Sequence, residues 1–422
     1  MTSAGILAGI KVVEFSEVIA GPWGGMMLAD LGAEVVKVEP LEGDPWRATT
    51  PFAPGEGRSF LSLNRGKRGL ALDLRHPEGR AVVHRLVEQA DVAVVNYRPD
   101  TPRNLGIDWE TLSGLNPRLV YVETTAFGRR GPQAHRPGYD LIIQAVSGLM
   151  AADGKTSDAG LPIPVSPPPA DFGTGYVIAW AACAGLFSRE RSGRGIRIEV
   201  SLLASSLGML GSSFLEMPGL DPPDVTEELR AAWRAGVPSA ELDDRYAQIR
   251  ARLAGANVYY RCYETADSQV AVACLSQPLR RKFMEVIGVE DPRLDIPGAL
   301  TSPEPSELSV LVLATTEIRL KERTTAEWLD IFDAAGVPAG PVNRVFELID
   351  DPQVAANDLV VELDHPTAGP VRMLGPVIRP VGSETVPERS SPRIGQHDDE
   401  VLAELGYSSE DIARLRSDGV IL

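Results

Sequence analysis

The sequence predicts an α/β fold in which a Rossmann-like large domain is joined to a smaller α/β domain. Three observations carry this. At the amino end a strand, a helix and a second strand follow closely as Lys11–Phe15, Pro22–Ala33 and Glu34–Glu39, a βαβ unit that implies a parallel sheet. Strand-like and helix-like runs then keep alternating as far as Thr125, the pattern of a sheet covered on both faces. A second alternation starts at Val258, beyond a stretch of different composition, and 422 residues are enough for two cores.

Taken in order, the first helix carries Pro22 in its opening turn, where a missing N–H costs nothing. The turn before it, Ser16 to Pro22, lacks the G-x-G-x-x-G spacing that seats a pyrophosphate, so dinucleotide binding is weakly supported although Glu39 ends the second strand. A strand at Gly69–Leu74, a helix at Pro77–Gln89 and strands at Asp91–Asn96 and Leu119–Thr125 follow. Gly138-Tyr139-Asp140 opens a long helix to about Met150, Ile196–Val200 is a strand, and a helix from Ser201 to about Met217 closes the unit. Residues 218–256 hold Pro218, Pro222 and Pro223, then a charged helical stretch from Glu227 to Leu253, and read as a helical linker.

From Val258 a hairpin returns through Gln269–Leu275 after the turn Ala266-Asp267-Ser268. Helices are expected at Pro278–Ile287, Ser306–Ala314 and Thr325–Ala335, the last with a capping box of Thr324 and Glu327. Gly336 to Pro341 is a loop, a helix begins near Arg344, Val360–Met373 is a hairpin, and helices start at Asp398 and Ser409.

Composition narrows the function classes. A net charge of -17 argues against nucleic acid or an anionic membrane as partner. Between Arg58 and Arg136, however, 13 Lys and Arg stand against 8 Asp and Glu, so an otherwise acidic chain carries one basic segment suited to a small anion or simply to a solvated face. Basic loops at strand ends, Asn64 to Arg68, Asn96 to Pro99 and Gly128 to Tyr139, are placed to converge on one anion, and Tyr97 to stack on a purine. Three cysteines without a Cys-x-x-Cys fit a reducing cytoplasm, and five scattered histidines give no metal site. The amino terminus has no basic-then-apolar leader, and the apolar run Tyr176–Phe187 is too short to span a bilayer.

The chain is organised around Pro167-Pro168-Pro169-Ala170-Asp171-Phe172-Gly173-Thr174-Gly175. Three prolines hold the approach extended, and two glycines let a backbone or ligand come close at the start of an apolar helix running to about Phe187. Asp171 then reads as a helix N-cap kept ionised by the first-turn amides, as a nucleophile, or as both.

Several motifs in one order resemble the family III CoA-transferases, the group of formyl-CoA:oxalate and carnitine CoA-transferases and α-methylacyl-CoA racemases. They are Gly9 to Phe15 with Ala20-Gly21-Pro22, Leu31 to Pro40, Asn64 to Arg68, Asn96-Tyr97-Arg98-Pro99, Arg136 to Leu141, Ser192-Gly193-Arg194-Gly195 and Ala334 to Val342. The resemblance implies a homodimer of interlocked rings. It also implies a large CoA-binding domain of residues 1–217 completed by 346–422, with a small domain at 257–345. It places Asp171 on the aspartate that attacks an acyl-CoA thioester, forming a mixed anhydride and then an aspartyl-CoA thioester before a free carboxylic acid takes the CoA.

For CoA, which is substrate rather than a resident cofactor, the resemblance implies backbone groups of Ile19 and Ala20, phosphate charges from Lys67 and Arg68, an adenine pocket of Asn96, Tyr97 and Arg98, and contacts at Gly138 and Tyr139. Where the resemblance leads to an arginine ahead of the Leu105-Gly106 pair, Asn104 stands directly before the pair and Arg103 one place earlier, as its substitute. The glycine-rich loop that shields the intermediate in the formyl-CoA enzyme is not visible in this sequence, where residues 256–261 occupy its approximate place. Racemases pair the aspartate with a histidine. This chain has Tyr139 there, a poor base near neutrality, which favours transfer over racemisation. A third reading is a CoA-binding protein without catalysis.

Overall fold

A computed structural model of the protein describes residues 5–217, 226–238, 241–242, 244–245, 257–297, 299–300, 306–381, 387 and 389–422. The chain divides into two compact units, Met1–Leu215 with Ile349–Leu422, and Glu216–Leu348. Residues 239–240, 243 and 246–253 of the expected linker helix, Glu227 to Leu253, and Ala256 of the segment 256–261 lie outside the described residues. A helix at Thr226–Arg234 is described.

The first unit is built on six parallel strands: β1 (Lys11–Phe15), β2 (Glu34–Glu39), β3 (Lys67–Ala71), β4 (Val92–Val95), β5 (Val120–Thr125) and β6 (Ile196–Ser201). Their spatial order is β3-β2-β1-β4-β5-β6, the doubly wound Rossmann order, whose direction reverses between β1 and β4. Both faces are covered, so β4 and β5 are buried at every residue. Helix α1 (Ala20–Asp30) follows β1, and α2 (Pro77–Glu88) follows β3. Helix α1 starts two residues before Pro22, which sits at its third position, still within the turn whose N–H groups have no helical partner.

The long helix expected from Tyr139 is two: α3 (Asp140–Ser147) ends at Gly148, whose φ of +88° no extended helix permits, and a short helix Leu149–Asp153 follows. Helix α4 (Pro169–Ser192) is longer at both ends than expected. By length and composition it alone among the described helices could cross a bilayer, yet its Ile178, Ala182 and Leu186 face join the sheet core. After β6, α5 stops at Met209 (Leu202–Met209) and a 3-10 turn, Gly211–Phe214, replaces its expected continuation.

The carboxyl-terminal part of this unit closes the sheet edge. His397 Nδ1 accepts the Gly69 N–H at 3.1 Å, the His397 N–H donates to Gly69 at 3.0 Å, and Asp398 Oδ1 accepts the Ala71 N–H at 2.9 Å. These bonds occupy backbone groups that an open edge strand would leave exposed.

In the second unit β7 (Tyr260–Glu264), β8 (Gln269–Ala273) and β9 (Ala339–Pro341) form an antiparallel sheet. Residues 339–341, expected as loop, pair with β8 instead. Helices α6 (Gln277–Ile287), α7 (Glu307–Leu320) and α8 (Thr325–Ala335) bury Phe283, Trp328 and Phe332 against it, and the Thr324–Glu327 capping box is formed. Near Arg344 the chain makes a 3-10 turn, Val345–Asp350, rather than a helix.

Candidate active site

Pro169 takes the first position of α4, so Asp171 is the third residue of the helix and the N-cap is Pro168, without a side-chain cap. The expectation of Asp171 as cap is therefore corrected. Proline is favoured at a helix start, and the cap falls three residues earlier than an extended triproline approach suggested. The Asp171 N–H donates to Asp140 Oδ1 at 3.1 Å, while its own carboxylate, 7% exposed, accepts no hydrogen bond from the described residues. Burial first, and the Asp140 carboxylate second, push the Asp171 carboxyl up to about 7. Among the described residues no amide of the helix start donates to the Asp171 carboxylate.

Asp140 opens α3 and is fixed by Gln144, whose Nε2 donates to Asp140 Oδ2 and, at 3.0 Å, to the Val165 carbonyl. Gln144 Oε1 accepts the Val165 N–H at 2.8 Å, tying α3 to the approach of α4, where the Ser166–Pro167 bond is cis. Tyr139, 67% exposed, precedes α3, and Gly138 packs so closely that a Cβ would lie 2.6 Å from that of Ala126. Helices α1 and α4 cross at Gly175, where a Cβ would meet Trp23 at 2.5 Å and the Ala20 carbonyl at 2.9 Å. Trp23 in turn stands edge-on to Phe172 and Tyr176. On the other flank Gly173 lies against Met209 in a groove of about 580 Å³ between α4 and α5.

At the switch point, Ile19 and Ala20 are buried, and the N–H groups of Ile19, Ala20 and Gly21 have no partner among the described residues. Asn96 does not offer its amide to a ligand: Oδ1 accepts the Glu17 N–H at 3.0 Å and Nδ2 donates to the Glu17 carbonyl at 2.8 Å. Tyr97 lines a cavity of about 190 Å³ with Glu17, Pro40, Leu72, Leu74 and Arg75, beside the carboxyl ends of β2, β3 and β4. Sequence reasoning missed Leu72, Leu74 and Arg75, although the strand-end rule that selected Tyr97 applies equally to the residues after β3. Arg98 and Arg103 are exposed and make no ion pair with the described residues.

Two expected phosphate contacts are corrected. Lys67 is fully buried, its Nζ 2.8 Å from Glu14 Oε2, from Asn64 Oδ1 and from the Pro22 carbonyl. Burial pushes its pKa down to about 8, with Glu14 opposing. Arg68 faces the other way, to Glu400 at 3.0 Å and Glu404 at 2.7 Å. Lys67 belongs to a buried charge network. Lys37 lies 3.2 Å from Glu14 and 3.0 Å from Asp44, and burial, which lowers its pKa, is overcome by Asp44, Glu14 and Glu39, which hold it above the usual lysine range. Arg47 pairs with Glu39 at 2.7 Å. Removing one member strands a dry charge, at roughly 3–5 kcal/mol.

Residues 7–398 match CoA-transferase family III. The chain is 31% identical to a human succinyl-CoA:glutarate CoA-transferase over 98% of its length and 90% of the relative's. It is 34% identical to a succinate–glutarate CoA-transferase of Agrobacterium fabrum, over 94% of this chain and 95% of that one. Its fold is similar to that of a CAIB/BAIF family protein from Brucella suis, with a TM-score of 0.73 and 29% identity over 95% of this chain and 100% of that one.

Proposed function

The chain belongs to CoA-transferase family III, and from this we propose that it moves CoA from an acyl-CoA to a free carboxylic acid through a covalent adduct on Asp171. The observation that carries the reading is Asp171 itself: a buried carboxylate in the first turn of α4, with no cation or donor among the described residues to occupy it and a second carboxylate beside it. Such a group is costly to the fold, and acids perturbed in this way cluster at sites of chemistry.

In the proposed cycle an Asp171 oxygen attacks the thioester carbonyl. The C–S bond breaks, CoA thiolate departs and a mixed anhydride remains. The thiolate attacks the Asp171 carbonyl carbon, releasing the donor acid and leaving an aspartyl-CoA thioester. The acceptor carboxylate attacks that carbon, expelling the thiolate and forming a new anhydride. The thiolate then attacks the acceptor's carbonyl, yielding the new acyl-CoA and free Asp171 carboxylate. Each step exchanges one activated acyl bond for another, so the thioester's energy is kept if water stays out. The unpartnered amides of Ile19, Ala20 and Gly21 and the cavity at Tyr97 are the groups we assign to CoA.

Relatives whose names specify glutarate, oxalate or L-malate support a dicarboxylic acid as acceptor. The same transferase names disfavour racemisation. A homodimer is the expected working form, supported by the exposed Trp180 and Phe187 on α4 and Leu141 on α3. Incubation with succinyl-CoA and hydroxylamine, followed by peptide mass spectrometry, should place a hydroxamate on Asp171. Turnover with no adduct there, and full activity in Asp171→Ala, would sink the mechanism.

A further inference from the structure

We infer that Asn96, Asp44, Lys37 and Lys67 are positioning residues that hold the turn between β1 and α1 in a strained shape, and that this shape presents its free amides to CoA. The inference rests on the assignment of CoA to this turn. Val18, at its centre, has φ +71°, a left-handed state that a β-branched residue adopts only under constraint from its surroundings. Those constraints can be named bond by bond. Lys37 Nζ donates to the Ser16 carbonyl at 2.5 Å, and Asn96 grips both the N–H and the carbonyl of Glu17. Asp44 Oδ1 accepts the Val18 N–H at 3.2 Å, and Lys67 Nζ donates to the Pro22 carbonyl at 2.8 Å.

The holders come from β2, the loop after it, β3 and the end of β4, so the turn is fixed from four sides. Lys37 and Lys67 are themselves anchored by Glu14. At Gly21 a Cβ would lie 2.3 Å from that of Ser16, which leaves the turn no looser way to pack. The three following amides, left without partners by this arrangement, sit at the sheet's reversal point. A turn of a dinucleotide-binding fold achieves close approach with glycines. Here charged side chains impose it on a valine.

A double-mutant cycle tests this. CoA affinity is measured by calorimetry, and KM and kcat by CoA exchange, for the wild type, Asn96→Ala, Val18→Gly and the double variant. We expect Asn96→Ala to weaken CoA binding and raise KM by about tenfold or more with kcat within about threefold. In the Val18→Gly background the same substitution should cost about threefold or less, because glycine rests in the left-handed region unaided. Asn96→Asp, which keeps the acceptor for the Glu17 N–H and loses the donor to its carbonyl, should show a smaller loss with the same dependence on residue 18, and it decides the matter if Asn96→Ala does not fold. Equal losses in both backgrounds would overturn this inference alone. No CoA binding by the wild-type protein would overturn the CoA assignment, and this inference with it.

Discussion

Asp171 and Asp398 are both buried acids, 7% and 1% exposed, and burial is the first cause that pushes each carboxyl up to about 7. Their surroundings differ. Asp398 accepts the Ala71 N–H, and the amides of Ala71 and Leu422 with Arg416 oppose its upward shift, so it is part of the closure of edge strand β3. Among the described residues Asp171 accepts no hydrogen bond, and the charged group that shifts it is another carboxylate, Asp140. A displaced pKa therefore marks a buried acid. Which acid is free to react is told by the donors around it.

The largest test of that contrast is activity. Asp171→Asn should lower kcat for CoA exchange by roughly a thousandfold or more, as loss of a covalent nucleophile does. Asp398→Asn, which keeps an acceptor for Ala71, should stay within about threefold of wild type in the same assay. Comparable losses at both sites would erase the distinction.

Stability comes next, and its sign is set by the shifts. An unfolded aspartate releases its proton near 3.8 and folded Asp171 only near 7. Between those values the folded state binds more protons, so the stability this carboxyl provides below about pH 4 is lost as pH rises through 7. At 1.36 kcal/mol per unit the ceiling is about 4 kcal/mol, and Asp171→Asn should recover part of it at pH 8 and less at pH 5. Asp398 has the same sign, but alanine separates the two: Asp398→Ala strands the Ala71 N–H at about 1–3 kcal/mol, whereas Asp171→Ala strands nothing. Urea unfolding of the four variants at both pH values measures this.

How much of this contrast is legible in the sequence follows from distance along the chain. The strands at Lys11–Phe15 and Glu34–Glu39 and the capping box at Thr324 are local patterns, and they stand where periodicity places them. The resemblance leads to Asp171 as the candidate nucleophile, but its place inside the helix rather than at the cap is not legible, because Pro169 serves equally as the end of an extended approach or as the first residue of a helix. Glu14, Lys37 and Lys67 look like ordinary strand charges until the sheet order sets β1, β2 and β3 side by side. Arg68 meets acids more than 330 residues away, a pairing no local pattern reveals.

A finer test concerns the like charge beside Asp171. Replacing Asp140 with Asn removes that repulsion while keeping an oxygen for the Asp171 N–H. The acid limb of kcat/KM, set by Asp171 near pH 7, should move to lower pH. An unmoved limb would leave burial as the sole cause. The equivalent change near Asp398, Asp399→Asn, should leave the limb where it is.

The smallest effect is expected at Arg68, on the Asp398 side of the molecule. Its partners Glu400 and Glu404 are 45% and 56% exposed, so water screens both pairs and Arg68→Ala should cost only about 0.2–1 kcal/mol. Lys67, one residue earlier, points inward to Glu14, because alternate residues of a strand face opposite ways. Neither side chain is then left for a phosphate, and KM for acyl-CoA should change less than about twofold in Arg68→Ala, since a rim charge of this kind adds little to binding. A several-fold rise in KM that shrinks with added salt would instead mean that Arg68 leaves its glutamates for the ligand, returning a binding role to the region that the hydrogen bonds assign to the fold.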